Sequence, residues 1–152
     1  MKKLSVGTSF DFEFRLTQND VRRFVQLSGD RNPIHSDPHF AAQSIVAKNC
    51  PPGRMCVPGI LSACVFSRVL GTIFPGFGTV YLQQTLHFEK PMFVRVPYVA
   101  KFKVLKIPAR TRVAKISTII MNKATGEITT RGYAFVHHPN RFLARRSKTR
   151  SR

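Results

Sequence analysis

The first regular pattern in the chain has a period of two. Phe10, Phe12 and Phe14 alternate with Asp11, Glu13 and Arg15, which predicts a strand with one buried face. The spacing then turns helical over residues 18–29, where Val21, Phe24, Val25 and Leu27 mark one side, Thr17 or Asn19 can cap, and Gly29 ends the helix. HFAAQSIVA (39–47) predicts a short helix, and KNCPPGRMCVPG (48–59) a loop rich in proline and glycine. The apolar segment ILSACVFSRVLGTIF (60–74), flanked by Pro58-Gly59 and Pro75-Gly76, is too long for a strand and predicts a buried helix. From residue 79 the period returns to two. TVYLQQTLHFEKP, YVAKFKVLKI, RVAKISTIIMN and ITTRGYAFVHH predict four strands, with ATGE turning between the last pair. One central helix followed by antiparallel strands is an α+β arrangement.

Composition bounds this picture. With 152 residues, 43% of them hydrophobic, the chain can build one domain with a real core but not two ordinary ones. Its 25 Lys and Arg face seven Asp and Glu, a net charge of +18, so an anionic partner is expected: nucleic acid, an acidic carrier, a phosphorylated cofactor or a membrane face. Six basic residues and no acid lie in residues 141–152 (RFLARRSKTRSR), too polar a run to bury the apolar surface that ordering requires. The expected division is therefore a folded body over 1–140 and a disordered basic tail over 141–152. The body remains strongly basic without the tail.

Cys50, Cys56 and Cys64 are odd in number and include no Cys-x-x-Cys pair, so neither a disulfide scaffold nor a zinc site is expected, and a reducing compartment is. Arg68 interrupts the longest apolar run, and no membrane span is expected. No signal or transit peptide is evident beyond Lys2 and Lys3.

The tract SGDRNPIHSDPHF (28–40) places Asp30 and His35 five residues apart on a proline-stiffened turn, which is either a plain loop between helices or an acid/base pair. Asn32 and Pro33 would fix that loop, Asn32 by bonding locally to the backbone. Gly59, at the start of the apolar helix, would offer an unpaired N–H and the positive end of the helix dipole to an anionic oxygen. His39, His87, His137 and His138 form no metal-ligand spacing and read as surface or packing residues.

The order of these elements, with FVQLSGDRNPIHSDPHFA, VPGILSACVFSRVLG and FPGFGTVYLQQTLHFEKP, closely resembles the MaoC-like family of (R)-specific enoyl-CoA hydratases and 3-hydroxyacyl-thioester dehydratases over residues 5–137. The resemblance implies a hot-dog fold, a bent antiparallel sheet around one long helix, assembled as a homodimer. It also implies a hydro-lyase of fatty acid metabolism without a cofactor of its own, whose substrate is carried on coenzyme A or acyl carrier protein. Asp30 and His35 match the catalytic pair that acts on water, Gly59 matches the glycine whose N–H polarises the thioester carbonyl, and Ser67 matches a serine near the site. Pro58 stands where the family commonly has His, the 48–59 loop is longer than usual, and Arg95-Val96-Pro97 replaces a glycine-aspartate turn. The rival expectation is a weak or silent protein on this fold that uses its charge to bind RNA or a ribonucleoprotein such as a mitochondrial ribosome. Thioesterase activity fits the tract less well. The mitochondrial matrix is the expected compartment, with the cytoplasm or peroxisome as alternatives.

Overall fold

A computed structural model describes residues 3–44, 48, 54–108 and 111–142. The strands are β1 (Ser9–Phe14), β2 (Val80–Phe88), β3 (Tyr98–Lys106), β4 (Val113–Asn122) and β5 (Ile128–His137). The helices are α1 (Gln18–Ser28), α2 (Pro38–Gln43) and α3 (Gly59–Thr72), with a 3₁₀ turn over Pro33–His35. The strands form one antiparallel sheet in the order β1-β3-β4-β5-β2, so β1 and β2 are its edges.

Alternation in the central strands sets the inner face. Tyr98, Ala100, Phe102 and Val104 of β3 point to the same side as Ala114, Ile116 and Ile120 of β4, and all are buried. Helix α3 lies on that face through Val65, Phe66, Val69 and Leu70, a stripe at helical spacing. The Phe66 ring meets Phe102 edge-on at 5.8 Å. Burying each such side chain is worth about 1.5–3 kcal/mol, so this layer holds helix to sheet.

Helix α3 is not buried all round, as its apolar composition led us to expect. Ile60 is 56% exposed, and Cys64, Ser67 and Arg68 also face outward, Arg68 resting 5.2 Å from the centre of the Phe12 ring. The five-stranded sheet covers only one side of the helix. Among the described residues no helix is long and apolar enough to cross a membrane.

The body runs past residue 140. Phe142 is buried, Leu4 N–H donates to the Arg141 carbonyl at 2.8 Å, and His138 binds the backbone of residues 140 and 141 through Nδ1, 3.1 Å from each N–H. The first two residues of the expected tail are thus packed, because Phe142 has an apolar site to fill. Residues 143–152, most of that tail, lie outside the described residues, as does Cys50.

The segment before α3 is zipped to the strand connection after β2. Val57 N–H donates to the Met92 carbonyl, Val94 N–H donates to the Met55 carbonyl, and Cys56 opposes Phe93 as an isolated bridge. The Tyr98 hydroxyl accepts from Phe93 N–H at 2.9 Å, and burial pushes its pKa up. At the replaced turn Arg95 adopts φ 64°, a left-handed conformation that glycine occupies without strain.

Candidate active site

The site begins with the end of α1. Thr17 caps that helix by accepting from Asp20 N–H, and the Asp20 carboxylate accepts in return from Thr17 N–H. The Thr17 hydroxyl also donates to that carboxylate at 2.7 Å, and this bond together with the one from Thr17 N–H holds the Asp20 carboxyl below the usual carboxylate range. Gly29 ends α1 at φ 74°, and the chain turns into Asp30.

From there the loop is built by its own polar side chains. Asp30 Oδ1 accepts from Asn32 N–H, Asn32 Oδ1 accepts from Ile34 N–H, and His35 N–H donates to the Asn32 carbonyl, at 3.2, 3.2 and 3.1 Å. Asn32 is thus a backbone-fixing residue, while Asp37 caps α2 by accepting from His39 and Phe40 N–H. The loop leaves Asp30 Oδ2 facing His35 Nε2 at 3.7 Å. That separation exceeds a direct hydrogen bond, and one water oxygen about 2.8 Å from each atom, beside the line that joins them, can bond both.

The state of His35 follows from its other nitrogen. Nδ1 lies 2.9 Å from the Cys56 carbonyl oxygen, which can only accept, so Nδ1 carries a proton, and in the neutral ring the lone pair is on Nε2. His35 is buried, whereas the Asp30 side chain is 41% exposed, enough to admit water to the pair. The Cys56 carbonyl was not visible as a site group in the sequence, because a backbone acceptor leaves no residue signature.

Helix α3 delivers the third group. Pro58 is buried as its N-cap, in an extended conformation (φ −53°, ψ 131°) without a side-chain cap, and its carbonyl accepts from Ser62 N–H. The helix starts at Gly59 despite the proline, and Gly59 N–H has no partner among the described residues. A Cβ on Gly59 would lie 3.1 Å from the Phe88 ring. Glycine therefore keeps this corner open beside the N–H.

His35 and Gly59 share a cavity of about 540 Å³. Val57, Phe88, Pro91 and Met92 give it apolar walls, Ser62 and Thr130 give buried hydroxyls, and Lys90 lies at the same wall in an ion pair with Glu127. Asp30 stands outside the lining and reaches the cavity through His35. Ser67, expected near the site, does not line it. Eight residues separate it from Gly59, about 12 Å along the helix, and it is turned about 140° from Ser62. Ser62 is the serine that meets the cavity, and its hydroxyl donates to the Gly59 carbonyl at 2.6 Å. A polar residue three positions after Gly59 in an apolar helix was the available signal. Among the described residues no three His, Cys, Asp or Glu side chains cluster as metal ligands.

Comparison with known proteins bears on the family and the fold. The MaoC like domain matches residues 2–128. The chain belongs to the MaoC-like family. Among MaoC-like relatives, a 3-hydroxybutyryl-CoA dehydratase of Methylorubrum extorquens is 34% identical, over 91% of this chain and 83% of its own. A mitochondrial 3-hydroxyacyl-acyl-carrier-protein dehydratase of Solanum lycopersicum is 31% identical, over 76% and 66%. The solved (R)-hydratase from A. caviae involved in PHA biosynthesis superposes with a TM-score of 0.81 at 34% identity, covering 91% of this chain and all of that one. The MaoC-like chain therefore has the hot-dog fold, with its sheet wrapped against α3.

Proposed function

We propose that the chain is a hydro-lyase that interconverts trans-2-enoyl thioesters and (R)-3-hydroxyacyl thioesters by adding and removing water. The observation that carries this reading is the polarity of His35: Nδ1–H is committed to the Cys56 carbonyl, leaving Nε2 as a base beside Asp30 Oδ2, close enough for one water to bond both from the open side of the pair. The matching relatives, dehydratases and an (R)-hydratase, support it.

Addition needs a water deprotonated for attack at C3, a proton delivered to C2, and a place for the negative charge that develops on the thioester oxygen. Asp30 Oδ2 orients the water and His35 Nε2 takes its proton as the C3–O bond forms. The thioester oxygen sits against Gly59 N–H at the positive end of α3, where the charge is stabilised as it grows. The proton then returns to C2 from the same face, so addition is syn. Dehydration runs through these steps in reverse. A positioned base of this kind typically contributes 10²–10⁴-fold in rate.

The apolar walls suit an acyl chain, and the thioester carrier, coenzyme A or acyl carrier protein, remains outside the cavity, where a basic surface attracts either anion. A homodimer is proposed because edge strand β2 exposes Val80, Tyr81 and Leu82, a continuous apolar segment on an unpaired edge that a second copy would cover. Likeness to a mitochondrial dehydratase supports action in the mitochondrion. The test is hydration of crotonyl-CoA and of the matching carrier-protein thioester by purified protein, with chiral analysis of the product. Formation of the (R)-3-hydroxy product supports the proposal, and no turnover on either carrier by folded protein refutes it.

A further inference from the structure

The carboxylates of this chain are already engaged within the fold. Asp11, Glu13, Glu89 and Glu127 pair with Lys101, Lys123, Arg131 and Lys90. Asp20 and Asp37 cap helices, and Asp30 faces His35. These are all seven acids, so the rest of the 25 Lys and Arg must find their counter-charge elsewhere.

The outer face of the sheet, opposite α3, concentrates part of that excess. Lys103, Ser117 and Tyr133 follow one another across β3, β4 and β5, and Lys101, Ile119 and Arg131 form the next row. Lys106 partners Lys115 across a β-bulge, bringing two like charges onto neighbouring strands. Among the described residues neither of these lysines nor Lys103 has a carboxylate within ion-pair distance. The cations extend about 10 Å along β3 from Lys103 to Lys106, beyond the reach of one phosphate.

Aromatic rings lie among these charges. Tyr133 is 43% exposed, and Lys115 Nζ stands 4.1 Å from its ring centre and 5.7 Å from that of Phe135. Beside Tyr133 a groove of about 340 Å³ runs past His87, Ser117, Ile119 and Arg131.

We infer that this outer face binds a single-stranded polynucleotide, its bases stacking on Tyr133 and Phe135 and its phosphates meeting Lys103, Lys106 and Lys115. A sheet that presents rings between lysines offers both things an unpaired strand needs, a π surface for each base and a cation for each phosphate. An acidic protein would satisfy the lysines and leave the exposed Tyr133 ring without a purpose. None of these residues lines the acyl cavity, so the surface is separate from the hydratase site.

The experiment is fluorescence anisotropy with a labelled oligouridylate and the full chain, across a salt series. Lys103→Glu/Lys115→Glu is expected to weaken binding at least tenfold and to flatten the slope of log K against log salt by about 1.4, as losing two phosphate contacts to a single strand requires. Tyr133→Ala is expected to weaken binding about tenfold without changing that slope, and Tyr133→Phe to restore it. Crotonyl-CoA hydration stays at the wild-type rate in all three variants, which shows that they are folded. The inference is overturned if oligouridylate binding is unchanged in the charge-reversal and Tyr133→Ala proteins. It is equally overturned if poly-L-glutamate competes as well as unlabelled oligouridylate, because the face is then a docking site for acidic protein.

Discussion

Replacing Gly59 by proline deletes one backbone N–H, puts a ring carbon in its place and leaves the start of α3 helical. Proline is favoured at the first helical position, where the N–H has no partner inside the helix. Pro58 already holds ψ 131°, the extended conformation that a following proline demands. The added ring meets Phe88, whose side chain stands 3.1 Å from the position of a new Cβ but is 50% exposed and free to yield by a few tenths of an ångström. Stability by urea denaturation is therefore expected to stay within about 1 kcal/mol of wild type. Gly59→Ala carries the same Cβ and keeps the N–H, so it isolates the steric part. The ratio of kcat between the alanine and proline variants reads the loss of the donor together with the ring Cδ that takes its hydrogen's place. Loss of one such donor typically costs 10²–10³-fold, about 3–4 kcal/mol of transition-state stabilisation, and that is the ratio expected for enoyl-thioester hydration. A proline variant that stays within threefold of the alanine variant would remove Gly59 N–H from the chemistry.

Other perturbations test the supports of the site. Gly132→Ala would place a Cβ 1.7 Å from the Thr85 carbonyl oxygen, so β2 must leave β5; the expected loss is about 3 kcal/mol or more in urea denaturation, with loss of activity because β2 carries Phe88. His138→Leu strands the Phe77 carbonyl and the N–H groups of Asn140 and Arg141, and is expected to cost about 3 kcal/mol and to speed hydrogen exchange at Leu4 and Arg141. Thr17→Ala is expected to cost about 1 kcal/mol at neutral pH by loss of the α1 cap. Because the Asp20 carboxyl is held low in the folded chain, its share of that stability is fully present above the unfolded value of about 3.9 and fades as pH falls through the folded value. The cost of Thr17→Ala measured by denaturation should therefore shrink between pH 5 and pH 2; an undiminished cost would remove the carboxylate from the cap.

The strands and helices were legible because burial alternates where the residues do. In β4, Ala114, Ile116, Thr118 and Ile120 face the core while Lys115 and Ser117 face out, as the period of two implies. Strand β2 was legible as a strand but not as an edge: its exposure at Val80, Tyr81 and Leu82 depends on which strands pair, and pairing over long separations has no local signal. For the site, the tract containing Asp30 and His35 and the start of α3 at Gly59 could be read directly, since side-chain chemistry and a helix boundary both leave marks in sequence. Similarity along the chain does not state which way a helical residue turns, and in this chain Ser62, not Ser67, lines the cavity. The Cys56 carbonyl that sets the His35 tautomer had no mark at all.

Whether Asp30 and His35 act on water is tested most directly by the rate of crotonyl-CoA hydration in wild type, Asp30→Asn and His35→Ala, each checked for fold by circular dichroism. Turnover to the (R)-3-hydroxy thioester in wild type, falling 10²–10⁴-fold in both variants, is the expected result. Equal rates in the three folded proteins would contradict it.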